Sequence, residues 1–366
     1  MPAPAPPTLT IRALRATGVA VPMTYALGTS RATITTAPLL LIDLDTEEGV
    51  TGRAYLWCYL PAAVPAISHL LGEVLAVTKG ERIAPVDLWA KLAKRFALIG
   101  VQGIVRMAMS GFDVACWDAL ATAAGLPLAR MLGGAPKPIP AYNSCGLGLM
   151  PPDKIADEAE KLAASGFTAV KLRLGYATLR EDLAALAAVR KRLGERIHVM
   201  VDYNQALTVA EALARGRALD REGIYWLEEP IRHDDYAGAA TLARELATPI
   251  QIGENFSEPH SMAVALAAGA ADYVMPDLER IGGVTGWQRA AALAAAHRIE
   301  MSSHLFPEVS AQLLAATPTC HWLEWVDWAE PLLDEPLRIV DGHAVVSERP
   351  GNGLVWNAKA VEKYRM

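Results

Sequence analysis

Residues 169–230 read AVKLRLGYATLREDLAALAAVRKRLGERIHVMVDYNQALTVAEALARGRALDREGIYWLEEP, and this stretch decides the fold. It holds three short apolar strands, AVKLRL, HVMVDYN and IYWLEEP, separated by two amphipathic helices rich in Ala and Leu. Buried strands alternating with helices of about 10–15 residues imply parallel strands joined by right-handed crossovers. The pattern extends in both directions. PIPAYNS (138–144) precedes it, and PIQIGEN (249–255), DYVMPDL (272–278), IEMSSHL (299–305) and CHWLEW (320–325) follow. Eight such strands over about 190 residues suit a closed barrel better than an open sheet.

The chain before the barrel has another texture. Residues 8–21 and 37–55 alternate or run apolar with β-branched side chains, and Glu48-Gly49 sits between two strand-like runs, a hairpin signal. Helical stretches follow at roughly 61–79, 86–96 and 103–124. Strands followed by helices mark an α+β unit. The expected organisation is therefore an α+β cap over residues 1–132, a barrel over 133–330 and a closing segment over 331–366. The turn LGGAPKPIP (132–140) divides the first two.

With 366 residues and 52% hydrophobic content, the chain can bury a large core. A net charge of -6 gives no general attraction to nucleic acid or to anionic lipid, so neither is an expected partner. The start, MPAPAPPTLT, lacks the basic and apolar regions of a signal peptide, and no long uncharged apolar run suits a membrane span. Cys58, Cys116, Cys145 and Cys320 have neither paired nor zinc-type spacing. The expected location is the cytoplasm.

A parallel barrel builds its site at the C-terminal ends of its strands. Those positions hold Lys171 and Arg173, Asp202 and Asn204, Glu228, Glu254, Asp277, His304 and Glu324. Asp202, Glu228 and Glu254 are 26 residues apart in each step, one strand–helix unit each time. A single acid at a strand end is readily explained as a solvated group or a cap on the next helix. Three in matching phase would repel one another unless a cation joined them, and an all-oxygen set suits Mg²⁺ better than zinc. Lys171 and Arg173 lie two apart on one strand and share a face; burying both against the helices would be costly, so they should point inward. His304 and Asp277 end consecutive strands, and a carboxylate that holds one imidazole nitrogen makes the ring a better general base. Glu324 lies between aromatics in HWLEW, where burial should favour the neutral acid.

The segments VKLRLGY, VMVDYNQ, WLEEP, IGENF, MPDLERIGGVTGW, MSSHLF and LLAATPTCHWLEW resemble the mandelate racemase subgroup of the enolase superfamily. TAPLLLIDL and GFDVACWDAL carry the likeness into the first 130 residues. The resemblance implies a modified TIM barrel, (β/α)₇β, with an N-terminal α+β capping domain. It implies Mg²⁺, or Mn²⁺ in its place, on Asp202, Glu228 and Glu254, and a small-molecule carboxylate substrate. It assigns Lys171 to the substrate carboxylate, His304 with Asp277 to the base on one face, and Glu324 to the acid facing the developing oxyanion. Asn204 and Ser144 become polar substrate contacts, and Leu27, Ile34, Trp57, Tyr59, Leu98 and Leu305 the apolar wall of the substrate cavity. It also suggests a homo-oligomer, with an octamer as one form.

Arg173 stands where the family carries a lysine, its base on the opposite face. A guanidinium stays protonated, so one working base remains. That favours loss of water from a hydroxyacid over racemisation, with a racemase or epimerase using Arg173 as the alternative. A non-catalytic binding protein on the same scaffold is a third reading, although every group named above is intact. Arg31 falls among the wall positions and could meet a distal carboxylate or hydroxyl. Cys145 and Arg280 also depart from the racemase pattern.

Overall fold

The computed structural model describes residues 8–30, 32–164 and 166–366; Arg31, expected at the substrate, lies outside the described residues. Strands β1 (Ile11–Gly28), β2 (Thr33–Thr46) and β3 (Thr51–Trp57) come first, paired antiparallel in that order. The β2–β3 turn falls at Glu48-Gly49, where Gly49 has φ +84°. β1 and β2 are longer than the sequence pattern suggests. Pro22 cannot donate to a ladder and so reads as a strand end, but the pair absorbs it through a register shift between Pro22 and Leu27. The extension carries Leu27 and Ile34 out to the barrel. Helices Ala63–Thr78, Pro85–Phe96 and Gly103–Ala123 follow. The third is buried along nearly its whole length, because it packs on β2 and β3 and also against the helices Leu278–Ile281 and Gly283–His297.

Eight parallel strands then alternate with helices: β4 (Ile139–Asn143), β5 (Ala169–Arg173), β6 (His198–Asp202), β7 (Leu227–Glu228), β8 (Ile250–Ile252), β9 (Tyr273–Val274), β10 (Glu300–Met301) and β11 (Leu323–Trp325). β4 to β10 are hydrogen-bonded in sequence, and β11 pairs with β4. Hydrogen bonds from Met301 N to Thr319 O (2.8 Å) and from Ser303 N to Trp322 O (3.0 Å) close the ring between β10 and β11. The result is the (β/α)₇β barrel. A hairpin of β12 (Ile339–Val340) and β13 (His343–Ala344) pairs antiparallel with β4. The chain then runs back to the first sheet, where Trp356 Nε1 donates to Asp43 (3.1 Å) and Met366 N to Gly18 O (3.0 Å).

Residues two apart on a strand share a face, which layers the barrel interior. Tyr142, Ala169, Met200, Trp226 and Trp322 form one buried cluster. Two residues further along the same five strands lie Ser144, Lys171, Asp202, Glu228 and Glu324. Apolar packing thus forms the floor on which the polar layer stands. Among the described residues no helix is long and apolar enough to cross a membrane.

Candidate active site

Carboxylate oxygens of Asp202, Glu228 and Glu254 come within 4.8 Å of one another, an arrangement able to hold a metal ion. Each acid is held in place. Asp202 accepts from Asn204 N (2.7 Å) and Asn204 Nδ2 (2.9 Å), and Glu228 from Trp226 Nε1 (3.1 Å). Glu254 lies beyond the end of β8, after Gly253. At that glycine φ is +139° and a Cβ would meet Met275 N at 2.8 Å, so no side chain fits there.

The Lys171 ammonium is buried among the acids, 2.7 Å from Glu228, 2.8 Å from Glu324 and 3.3 Å from Asp202. Burial works against its charge, but these carboxylates hold it well above the usual lysine range. Glu324 departs from expectation. Burial favours its neutral form, yet Lys171 and His304 outweigh that and hold it down at about 2, as a carboxylate. Its aromatic neighbours do not surround it. Trp325 faces away and packs on Phe167, while Trp322 lies one layer below. Leu305 N donates to its other oxygen at 2.9 Å.

Asp277 divides its two oxygens between two tasks. Oδ1 caps the Leu278–Ile281 helix, accepting from Glu279 N (2.8 Å) and Arg280 N (3.0 Å), and Oδ2 lies 2.7 Å from His304 Nδ1. A carboxylate acceptor there requires the proton on Nδ1. Nε2 then turns to the acids, 3.4 Å from Glu254 and 3.9 Å from Glu324. Burial lowers the affinity of the ring for a proton, but Glu254, Glu324 and Asp277 overcome it and raise His304 to about 9.

A cavity of about 310 Å³ opens above these groups. Lys171, Arg173, Asp202, Asn204, Glu254, His304 and Glu324 line its polar side, and Leu27, Ile34, Trp57, Tyr59 and Leu305 its apolar side. Arg173 is fixed by the loop after β4: Nη1 donates to Gly146 O (2.7 Å), and Nη2 to Ser144 O (3.2 Å) and Ser144 Oγ (3.1 Å).

Two residues expected at the substrate do not line this cavity. Leu98 is fully exposed on the loop after the Pro85–Phe96 helix and does not line the cavity. Ser144 is fully buried beneath the cavity floor, where its hydroxyl is taken up by Arg173 and Glu324. Sequence reasoning missed Trp328, which stacks tilted on Trp57 at 4.6 Å and completes the wall. The only signal was the recurrence of tryptophan in WLEWVDW. It also missed Asn255, which donates to Glu254 (3.2 Å) and Glu229 (2.8 Å).

Residues 12–133 match the mandelate racemase/muconate lactonizing enzyme N-terminal domain, and residues 154–360 the enolase C-terminal domain-like family. The chain belongs to the mandelate racemase/muconate lactonizing enzyme family. Within it, the L-talarate/galactarate dehydratase of Salmonella typhimurium is 31% identical over 89% of this chain and 82% of its own length. The crystal structure of an enolase from alpha pretobacterium bal199 with bound Mg is 44% identical, with a TM-score of 0.96 over 98% of this chain and 100% of that one. An enolase from Bradyrhizobium, complexed with magnesium and mandelic acid, is 41% identical, with a TM-score of 0.93 over 98% and 99% of the two chains.

Proposed function

We propose that this member of the family removes the α-proton of a 2-hydroxycarboxylate and expels the neighbouring hydroxyl as water, a hydroxyacid or acid-sugar dehydratase. The C2–H bond breaks, its electrons form the C2=C3 bond, and the C3–O bond breaks. The proton leaves with the hydroxyl as water, and the enol relaxes to a 2-keto acid. The clustered oxygens of Asp202, Glu228 and Glu254 fit a hard cation, and Mg²⁺ is bound in the two structures described above. When bound, it would supply positive charge at the substrate carboxylate and so acidify the α-proton.

The remaining work belongs to side chains. Lys171 holds a carboxylate oxygen of the substrate. The carboxylates that raise His304 would be offset by a cation on Asp202, Glu228 and Glu254, leaving Nε2 unprotonated; Nε2 takes the proton from C2 and returns it to the departing hydroxyl. Asp277 keeps the ring turned for both steps. Arg173, locked by Ser144 and Gly146, presents fixed positive charge on the other side. The observation that carries this reading is the His304–Asp277 pair at 2.7 Å, directed at the acid cluster with Arg173 in place of a second base.

The apolar wall of Trp57, Tyr59, Leu305 and Trp328 favours a second reading: racemisation of an aryl hydroxyacid with no β-hydroxyl to lose. Incubation of single enantiomers in D₂O separates the two. We expect 2-keto acid from substrates bearing a 3-hydroxyl, with no loss of optical activity in recovered substrate. Deuterium entering from both faces with racemisation would overturn the dehydratase reading.

We also place the protein in the cytoplasm as a homo-oligomer. Unbridged Cys58, Cys116 and Cys145, all buried, support the first, and the adjacent exposed pair Leu98 and Ile99 on the cap supports the second.

A further inference from the structure

We infer that Arg280 and Asn255 form a clamp that sets the Glu254 carboxylate for the metal and ties it to the aromatic wall of the cavity. This rests on Asp202, Glu228 and Glu254 being the cation ligands; it does not depend on which reaction follows.

The three acids are not equally supported. Asp202 and Glu228 are strand residues, positioned by the β6–β7 ladder. Glu254 comes after Gly253, outside any strand, and must take its position from elsewhere. Arg280 reaches it from the short helix Leu278–Ile281 after β9. Its Nη1 donates to the Glu254 carbonyl at 3.1 Å and to Asn255 Oδ1 at 2.8 Å. The second bond settles which end of the Asn255 amide faces the acids. Nδ2 is left to donate to Glu254 Oε1 (3.2 Å) and to both oxygens of Glu229 (2.8 and 3.1 Å). The Glu254 main chain and its carboxylate are thus held through one guanidinium nitrogen.

The same guanidinium lies over the Tyr59 ring, 4.8 Å from its centre. Tyr59 has φ +59°, a left-handed conformation that a tyrosine keeps only when its surroundings impose it. Its ring stands edge-on to Trp57 at 5.5 Å, and both line the cavity. Arg280 therefore touches the loop of a metal ligand on one side and the substrate wall on the other. It acts through Glu254 and Tyr59, as a positioning residue.

Partners that orient metal ligands typically change affinity by about 10–100-fold when removed. The test is calorimetric titration of the full chain with Mg²⁺ alone. Arg280→Met and Asn255→Ala should each weaken Mg²⁺ binding by about tenfold or more. Arg280→Lys should recover part of the Arg280→Met loss, because an ammonium can replace the single nitrogen that makes both contacts but not the planar stack on Tyr59. Tyr59→Ala should also weaken Mg²⁺ binding, although Tyr59 touches no ligand. Melting in EDTA serves as the control for folding, and Asn255→Ala keeps the test open if Arg280→Met does not fold.

Normal Mg²⁺ affinity in both Arg280→Met and Asn255→Ala would overturn the clamp. So would Arg280→Lys binding as weakly as Arg280→Met. Unchanged affinity in Tyr59→Ala would overturn the tie to the wall. If the unaltered chain binds no Mg²⁺, the ligand assignment itself falls, an outcome distinct from all of these.

Discussion

The two ends of the barrel are built from the same strands and could hardly differ more. On β6, Met200 lies in the floor and Asp202 at the mouth; Trp226, just before β7, and Trp322, just before β11, lie in the floor below Glu228 and Glu324. A step of two residues along each strand crosses from close-packed rings, with Trp226 edge-on to Tyr142 at 5.4 Å, to a cluster of charges around one lysine. Two histidines show what the step does. Burial alone drives His321, at the bottom rim, down to about 4. His304 is buried as well, but the carboxylates around it push it up to about 9. Depth in the protein does not set the sign; the charge of the neighbours does.

The sharpest way to break this contrast is to remove each imidazole in turn. His304→Asn should lower keto-acid formation by about 10²–10⁴-fold, the usual worth of a positioned general base, while calorimetry still finds Mg²⁺ binding. His321→Gln should leave the turnover rate within a few-fold. If His304→Asn retains most of its rate, the mouth histidine is not the base, and the chemical distinction between the two ends disappears.

Charge balance at the mouth gives the next largest effect. Lys171→Met leaves Asp202, Glu228 and Glu324 buried without their counter-ion, and breaking such a set typically costs about 3–5 kcal/mol. In EDTA the variant should melt well below the unaltered chain, and saturating Mg²⁺ should recover most of the difference, because a cation on Asp202, Glu228 and Glu254 restores the charge. A variant whose melting in EDTA matches the parent would mean that Lys171 does not neutralise the acids.

How much of this was legible in the sequence follows the same division. Periodicity revealed the eight strands, because a buried strand must be apolar and a crossover helix amphipathic. The strand-end rule then picked out Asp202, Glu228, Glu254, Asp277 and His304. The loops were another matter. Nothing local says that Leu98 is left exposed and off the cavity lining, or that Ser144 is taken up by Arg173. Nor does the pattern of residues show that Tyr59, Asn204, Glu229 and Leu305 all adopt positive φ, since tertiary contacts impose those conformations. The state of Glu324 was misjudged for a related reason. Its sequence neighbours are aromatic, but its neighbour in space is Lys171.

The floor histidine offers the finest test, through the pH dependence of stability. His321 Nε2 lies 2.9 Å from Tyr225 OH and its ring stacks tilted on Tyr273 at 4.6 Å, an environment suited to the neutral form. In the unfolded chain the ring returns to about 6.5, so below that pH the unfolded state takes up a proton that the folded state refuses. The stabilising contribution is therefore complete above about pH 6.5 and is lost as pH falls toward 4. At pH 4.5 the loss is about 2–3 kcal/mol. Glu300, half exposed and 3.5 Å from Nε2, trims this by pairing with the imidazolium. Urea denaturation at pH 7 and pH 4.5 should show the parent losing about 2 kcal/mol more than His321→Gln, whose amide keeps a polar group near Tyr225 but does not titrate. Equal losses would mean that the floor admits a charged ring as readily as the mouth does.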